Sequence, residues 1–194
     1  MMETTKGKSP AQLGEEGVKE MRVMVGIDES DESFHALQWT LDHLCGRITG
    51  TAAANQDGLR LITLSLVHVH QGFHRLYVPA GPGGTVSTAY YIPASVEESI
   101  KKGQEQISKA LLSRASYLCK DRPNAAVETL IFEGDPKEKI CRATQEMHVD
   151  HLVVGNRNLG KIKRAFLGSV SDYCAHHANC PVLIVKQPSK EVSK

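Results

Sequence analysis

The sequence lacks the features that secreted, membrane-spanning and zinc-binding proteins need. Its five cysteines contain no Cys-x-x-Cys pair, so neither a disulfide framework nor a thiolate zinc site is indicated. No apolar run approaches the roughly 20 residues that cross a bilayer, and the first 20 residues contain no apolar stretch typical of a secretory signal. We therefore expect a cytoplasmic protein, with the nucleus as a second possible compartment. Its thiols are expected to be reduced, and one exposed, redox-sensitive thiol is the alternative.

The sequence also lacks a net charge and the common catalytic motifs. Lysine and arginine number 23 against 22 for aspartate and glutamate, so no overall field attracts nucleic acid or an anionic membrane. Gly-x-Ser-x-Gly and His-Glu-x-x-His motifs are missing, so we expect no catalytic residues and no dedicated enzyme. With 194 residues, of which 41% are hydrophobic, the chain is long enough for one ordinary domain.

What the chain does contain is an alternation of short apolar runs and amphipathic stretches. Five β-branched runs predict strands, and four stretches with three- and four-residue apolar spacing predict helices between them. This alternation predicts an α/β fold with a doubly wound, five-stranded parallel sheet. The strands are expected within residues 22–28, 59–69, 126–132, 151–154 and 180–185.

The predicted helices have recognisable starts and apolar faces. Asp135 is expected to cap the third helix, with Pro136 in its first turn, and Gly168 and Ser169 to open the fourth. In the long second helix the apolar spacing predicts that one face is buried. That face consists of Val96, Ile100, Ile107, Leu111 and Leu118.

Glycine and proline divide the rest of the chain. Seven of them between residues 71 and 94 break both periodicities, which predicts a long flexible loop. Residues 1–20 are polar and are expected to form a disordered tail. The folded domain is therefore predicted over residues 21–187, followed by a short tail at 188–194.

In an open parallel sheet, ligands bind at the carboxyl ends of the strands, where the strand order reverses. Asp28 ends the first strand, and its carboxylate can accept hydrogen bonds from ribose hydroxyls. Capping of the following helix is the alternative role for this residue. Asp28 is thus the first candidate for binding a nucleotide.

Two segments after the fourth strand are candidates for binding phosphate. Residues 155–162 nearly match a P-loop, but Ile162 replaces the hydroxyl residue that holds magnesium, so we reject that motif. Gly168 and Ser169 are better placed, because a helix that starts there offers unpaired N–H groups to an anion. A local group of basic residues favours a polyphosphate ligand, with an ordinary solvated loop as the alternative. This group comprises Arg157, Lys161, Lys163 and Arg164.

The nine histidines do not indicate a metal site. His68 and His70 share one face of the second strand but have no cysteine or second ligand pair nearby in sequence, so a structural role is expected. His176 and His177 fall at a helix end, where they complement the helix dipole.

Several of these segments together resemble the universal stress protein family, in its plant-type form with one domain. The resemblance extends over residues 22–186. It is carried by Val-x-Val-Gly-Ile-Asp-Glu-Ser at 23–30, Val-His-Val at 67–69, Glu-Gly-Asp-Pro at 133–136, Val-Val-Gly-Asn-Arg at 153–157, Phe-Leu-Gly-Ser-Val-Ser at 166–171 and His-His-Ala-Asn-Cys-Pro-Val-Leu at 176–183.

The resemblance implies a Rossmann-like, adenine nucleotide alpha hydrolase-like sheet with strand order 3-2-1-4-5, and it implies a binding site. The family pattern Gly-x2-Gly-x9-Gly-[Ser/Thr] falls on Gly155, Asn158, Gly168 and Ser169, with Asn158 in place of the second glycine. By resemblance, Asp28 faces the ribose, the backbone of Val69 contacts adenine, and residues 169–171 line the phosphates. The expected binding residues are Ile27, Asp28, Glu29, Ser30, Val69, Val154, Gly155, Arg157, Asn158, Gly168, Ser169, Val170 and Ser171.

The function that the resemblance implies is a stress-response sensor or regulatory module that binds ATP or AMP, with Mg²⁺ bridging the phosphates. It also implies a homodimer formed through the last strand, at Val182–Val185. A slow ATP hydrolase and a holdase chaperone with redox-dependent oligomerisation are the alternatives. No nucleic-acid or membrane partner is expected.

Overall fold

A computed structural model describes residues 20–46, 62–72, 77–78, 88–89, 93–157 and 167–187. Along the chain these residues form β1 (Met21–Gly26), α1 (Asp31–His43), β2 (Ile62–His70), β3 (Tyr77–Val78), β4 (Thr88–Ala89), α2 (Ala94–Cys119), β5 (Ala125–Glu133), α3 (Pro136–Glu146), β6 (His151–Gly155), α4 (Ser169–His177) and β7 (Val182–Val185).

Five of the strands form one parallel sheet in the order β5-β2-β1-β6-β7. Numbered by their sequence order within that sheet, the strands run 3-2-1-4-5, so the predicted topology is confirmed. The order reverses between β1 and β6, where Val23 pairs with His151 and Val25 with Val153. A cleft is expected at such a reversal point, outside the carboxyl ends of the two strands.

Each face of the sheet has its own apolar core. Successive strand residues point to opposite faces, so Val23 and Val25 pack with Leu37 of α1 and Leu112 of α2, whereas Met24 packs on the other side. That second core includes Ile140 and Ala143 of α3 and Cys174 of α4. Helices therefore cover both faces, which explains why the strands are apolar along nearly their whole length.

The predicted face of α2 is wrong in part. Val96, Ile107 and Leu118 are exposed, with Ile107 exposed to 58%. The side chains buried instead are Ser108, Leu112, Ala115 and Cys119. Small side chains allow the helix to pack closely on the sheet, and a search for large apolar residues overlooks them.

Local sequence determines the helix starts as expected. The Asp135 side chain accepts from the backbone N–H of Lys137 at 3.0 Å, with Pro136 next in the chain, and Ser30 caps α1.

Within the region predicted as a flexible loop, β3 and β4 form a short antiparallel pair. None of the helices in the described ranges has both the length and the apolarity of a membrane span.

Candidate functional site

A cleft of about 700 Å³ lies at the carboxyl ends of β1, β2 and β6 and is bordered by the N-termini of α3 and α4. It brings together twelve of the thirteen residues expected to bind a nucleotide: Ile27, Asp28, Glu29, Ser30, Val69, Val154, Gly155, Arg157, Gly168, Ser169, Val170 and Ser171. Asn158, the thirteenth, lies outside the described residues, as do Lys161, Lys163 and Arg164. The binding roles of all thirteen stay predictions.

Asp28 is held on both sides of its carboxylate. Oδ1 accepts from the backbone N–H of Ser30 at 2.9 Å and from the Ser30 hydroxyl. Oδ2 accepts from Nη2 of Arg157 at 2.5 Å, which joins the end of β1 to the segment after β6. Asp28 therefore shapes the start of α1, as one interpretation of the sequence proposed, and also lines the cleft, as the other required.

The charge of Asp28 is stabilised by these contacts. Burial by itself raises the pKa of this carboxyl, but the hydrogen bonds from Ser30 and the nearby Arg157 guanidinium outweigh burial and leave its pKa below the ordinary value of 3.8. Asp28 is consequently an anion at neutral pH. It can accept hydrogen bonds from a ligand but cannot donate one.

The N-terminus of α4 supplies donors to the same cleft. Gly168 occupies the N-cap position, and within the described part of the chain no side chain caps this end. The first backbone bond of the helix runs from the N–H of Asp172 to the carbonyl of Gly168 at 2.8 Å. The N–H groups of residues 169–171 precede that bond and have no acceptor within the helix, so they form an anion-binding end.

Asn156 fixes the position of this helix end and was not among the residues expected at the site. Its side chain is fully buried, and its Oδ1 accepts from the backbone N–H of Gly168 at 3.2 Å. The backbone N–H of Asn156 donates to the carbonyl of Val185 at 2.9 Å. Asn156 thus connects β6, β7 and α4. A polar residue directly after an apolar strand was the available signal.

Gly155 allows another close approach, between β6 and the start of α1. A Cβ at this position would lie 2.6 Å from the backbone carbon and oxygen of Glu32 and 2.9 Å from the backbone nitrogen of Ser33. Only glycine fits beside another backbone at that distance. The glycine therefore brings the first turn of α1 against the end of β6, next to Asp28.

Further residues that line the cleft were not among those expected at the site. They are Gly26, Ser33, Val67, His68, His70, Gln71, Gln104, Ile107, Ser108, Asp135, Pro136, Lys137 and Ile140. Among them, His68 is buried and its Nδ1 lies 2.8 Å from the carbonyl oxygen of Ile27. Because a carbonyl only accepts, Nδ1 carries the proton, and in the neutral ring Nε2 is the acceptor.

The described cations of the cleft are already paired with carboxylates. Arg157 contacts Asp28, and Nζ of Lys137 lies 3.5 Å from Oδ2 of Asp135. Across the described ranges, no group of three or more histidine, cysteine or acidic side chains is arranged to hold a metal ion. The cleft thus presents carboxylate acceptors and, at α4, backbone donors, an arrangement that suits a ligand with both hydroxyl and anionic groups.

Comparison with known proteins identifies the family. The model of the universal stress protein family matches residues 21–186, which is nearly the whole described chain. The chain belongs to the universal stress protein family.

Among curated universal stress proteins, PHOS34 of Arabidopsis thaliana is 27% identical over 177 residues, which cover 86% of this chain and 62% of PHOS34. YxiE of Bacillus subtilis is 27% identical over 165 residues, or 85% of this chain and 98% of YxiE. The matches span 37%, 62% and 65% of the first three curated relatives, all from Arabidopsis thaliana, so these relatives extend well beyond the matched part.

Solved structures of this family share the fold. A universal stress protein family protein from Arabidopsis thaliana, crystallised with AMP bound, is 23% identical and has a TM-score of 0.53, with 90% of this chain and 97% of that chain covered. Hypothetical protein MJ0577 is 20% identical with a TM-score of 0.61 and covers 87% of this chain and 97% of its own. At these identities the likeness shows a Rossmann-like fold.

Proposed function

We propose that this universal stress protein binds ATP or AMP in the cleft and acts as a sensor or regulatory module in a stress response. The observation that carries the proposal is the placement of an ionised acceptor, Asp28, and the uncapped N-terminus of α4 in one cavity of about 700 Å³. A nucleoside phosphate has hydroxyls for the first group and an anion for the second. The AMP found in the Arabidopsis structure supports this ligand class.

The residues of the cleft suggest how the ligand lies. The ribose hydroxyls donate to Asp28, and the phosphates accept from the N–H groups of residues 169–171, with Ser169 adding a hydroxyl. The backbone of Val69 contacts the adenine. Arg157 then exchanges the Asp28 carboxylate for a phosphate, which it can bind with two parallel hydrogen bonds.

Mg²⁺ is part of the proposal only as a partner of the phosphates. The described residues contain no cluster of three possible metal ligands, so we propose no metal cage in this part of the chain. Mg²⁺ characteristically keeps several waters and binds through substrate phosphates, so a polyphosphate would bring the ion with it.

The proposed assembly is a homodimer through β7. This strand is the last in the order of the sheet. The carbonyl of Pro181 accepts from the N–H of Leu152 in β6, and that of Val185 accepts from the backbone N–H of Asn156, directly after β6. Since successive residues of a strand alternate in direction, the backbone groups of Val182 and Ile184 point away from β6 and are placed to pair with a second copy.

Cytoplasmic location, slow ATP hydrolysis and holdase activity stay predictions from the sequence alone.

Calorimetric titration of the full chain with ATP, AMP and GTP tests the binding proposal. We expect heat with the adenine nucleotides and a higher melting temperature in their presence, because a ligand that binds only the folded state stabilises it. Asp28→Ala should weaken binding by roughly tenfold or more, the usual effect of losing a hydrogen bond to a charged group. Mass spectrometry of small molecules released on denaturation identifies any nucleotide that copurifies.

Asp42→Ala is the matched control. Asp42 also accepts from an arginine, Nη2 of Arg122 at 2.6 Å, but it is not among the residues that line the cleft. Its replacement should leave the affinity unchanged. The absence of both heat and stabilisation at millimolar ATP would refute the proposal, and equal weakening by the two variants would refute the assigned role of Asp28.

A further inference from the structure

Two cysteine thiols meet between α3 and α4, outside the cleft. Sγ of Cys141 on α3 lies 3.7 Å from Sγ of Cys174 on α4, within hydrogen-bond distance for two thiols. Cys141 is half-buried, whereas Cys174 is fully buried in the second core. One residue of the pair is therefore partly exposed to solvent and the other is not.

The other cysteines lack this combination. Cys45 and Cys119 lie near each other in the first core, but both are buried, and burial, with Cys45 adding to it, raises the pKa of Cys119 to about 11. Cys180 is half-buried and lies close enough to Cys174 to contribute to the raised pKa of that thiol. The Cys141–Cys174 pair thus joins solvent access to sulfur–sulfur contact, and Cys180 is the neighbouring thiol that must be distinguished from it.

We propose that Cys141 is a peroxide-reactive thiol and that Cys174 resolves its oxidised form, so that mild oxidation links α3 to α4 through a disulfide within the domain. The oxidant is hydrogen peroxide. The disulfide requires the sulfurs to close from 3.7 Å to about 2.0 Å.

The reaction has two steps. The Cys141 thiolate attacks one peroxide oxygen and the O–O bond breaks, so that Cys141 becomes a sulfenic acid and the other oxygen leaves as water after taking up a proton. The sulfur of Cys174 then attacks the sulfur of Cys141 as its own proton is lost, and the S–O bond breaks to release a second water. Two thiols and one peroxide give one disulfide and two waters.

The two sulfurs differ in how strongly their surroundings disfavour the thiolate. Burial raises the pKa of the Cys141 thiol, and a hydrogen bond from Cys174 counteracts part of that effect. Burial and the nearby Cys141 both raise the pKa of Cys174. Both thiols are therefore harder to ionise than an ordinary cysteine, which slows their reaction with peroxide, and Cys141 is the easier of the two to ionise.

The disulfide acts on the elements that border the cleft. Cys141 and Cys174 each lie in the second turn of a helix whose first turn lines the cleft, at Pro136 in α3 and at Ser169 in α4. A covalent link between these turns fixes the two helix N-termini relative to each other. This consequence requires only the fold, not the proposed nucleotide.

Mass spectrometry of the full chain after treatment with hydrogen peroxide tests the proposal. Free thiols are alkylated and the protein is digested with trypsin. Cys174 and Cys180 fall in the same tryptic peptide, residues 165–186, because no lysine or arginine separates them. We therefore use a Cys180→Ser background, in which a link between the peptides that carry residues 141 and 174 is expected.

Two further variants separate the roles. In Cys174→Ser the link should disappear while a dimedone adduct of the sulfenic acid accumulates on Cys141, and in Cys141→Ser both the link and the adduct should be lost. A Cys45–Cys119 link that forms first, loss of the link on removing Cys180, or only sulfinic acid on Cys141 of the wild-type chain would each overturn the proposal.

Discussion

Single side chains at the cleft take part in more than one interaction, and Asp28 shows this most clearly. Its carboxylate organises the turn before α1 through Ser30 and pairs with Arg157 across the cleft. The sequence predicted a residue at the end of a strand with either a ligand-binding or a capping role. The ion pair with Arg157 was not predicted, since the two residues are 129 positions apart in the chain.

The ionisation of Asp28 provides a test at this scale. Its pKa is lowered, so we expect the Asp28 carboxyl to titrate below the ordinary value of 3.8. The ion pair should therefore stabilise the fold above pH 3.8, and this contribution should be lost as the pH falls through the pKa of Asp28 in the folded protein. Arg157→Ala should raise the pKa, because the opposite charge is removed. Carbon-detected NMR titration measures both midpoints.

Arg122→Ala serves as the control for that titration, since Arg122 pairs with Asp42 instead. It should leave the Asp28 midpoint unchanged. A midpoint for Asp28 that is the same with and without Arg157 would show that the ion pair does not form in solution.

Residues such as Asn156 and His68 mark the limit of sequence-based prediction at this scale. Asn156 accepts from Gly168, twelve residues away, and His68 contacts the carbonyl of Ile27 from a neighbouring strand. Neither contact follows from a local pattern. Motif spacing identified segments that line the cleft, but only the packed strands show which polar side chains are buried there.

At the scale of helices and strands, the junction of β6 with α1 depends on one glycine. The backbone of Glu32 and Ser33 comes so close to Gly155 that a Cβ does not fit. This contact positions the first turn of α1 and with it Ser30 and Asp28. The junction therefore couples the packing of two elements to the geometry of the cleft.

We expect Gly155→Ala to destabilise the protein by about 1–3 kcal/mol, the usual cost of overpacking against groups that cannot move away. Gly103→Ala in α2 is the matched control, because nothing lies within 4 Å of a Cβ there. That change should stabilise the protein by about 0.5–1 kcal/mol, since alanine favours a helix over glycine. Urea denaturation followed by circular dichroism measures both effects.

Opposite signs for the two glycine variants are the expected result. A neutral Gly155→Ala would mean that α1 moves away from β6 without cost, and that the close approach is not a requirement of the fold.

Element types and their order could be predicted because alternating apolar runs and clear helix caps are local signals. The cap at Asp135 and the strand order illustrate this success. The buried face of α2 could not be predicted in this way, because Ser108 and Ala115 are buried for their small size rather than for their hydrophobicity. Packing against a sheet selects such residues, and periodicity of large apolar side chains does not reveal them.

At the scale of the whole molecule, the sheet has two edges, β5 and β7. Backbone groups of Val182 and Ile184 face outward at β7. At β5 the carbonyl of Asn124 accepts from Ile62, so the alternation places the N–H of Thr129 outward as well. The proposed dimer uses the first edge and leaves the second unpaired.

Proline substitution tests which edge pairs, because proline removes a donor and is tolerated at a sheet edge. Ile184→Pro should convert the dimer to a monomer in sedimentation velocity, whereas Thr129→Pro should leave it intact. Ile184→Ala retains the N–H and isolates the effect of the side chain. A monomeric Thr129→Pro with a dimeric Ile184→Pro would assign the interface to β5.

The ion pair between Asp28 and Arg157 has a consequence for which compounds the proposed site can discriminate. Inorganic phosphate can accept hydrogen bonds from the Arg157 guanidinium but leaves the Asp28 carboxylate without a donor. Adenosine can donate to the carboxylate but leaves the guanidinium without an acceptor. Only a molecule that carries a sugar diol and an anion at the right separation replaces both halves at once. At the proposed site, the Asp28–Arg157 ion pair therefore favours nucleotides over inorganic phosphate or adenosine alone.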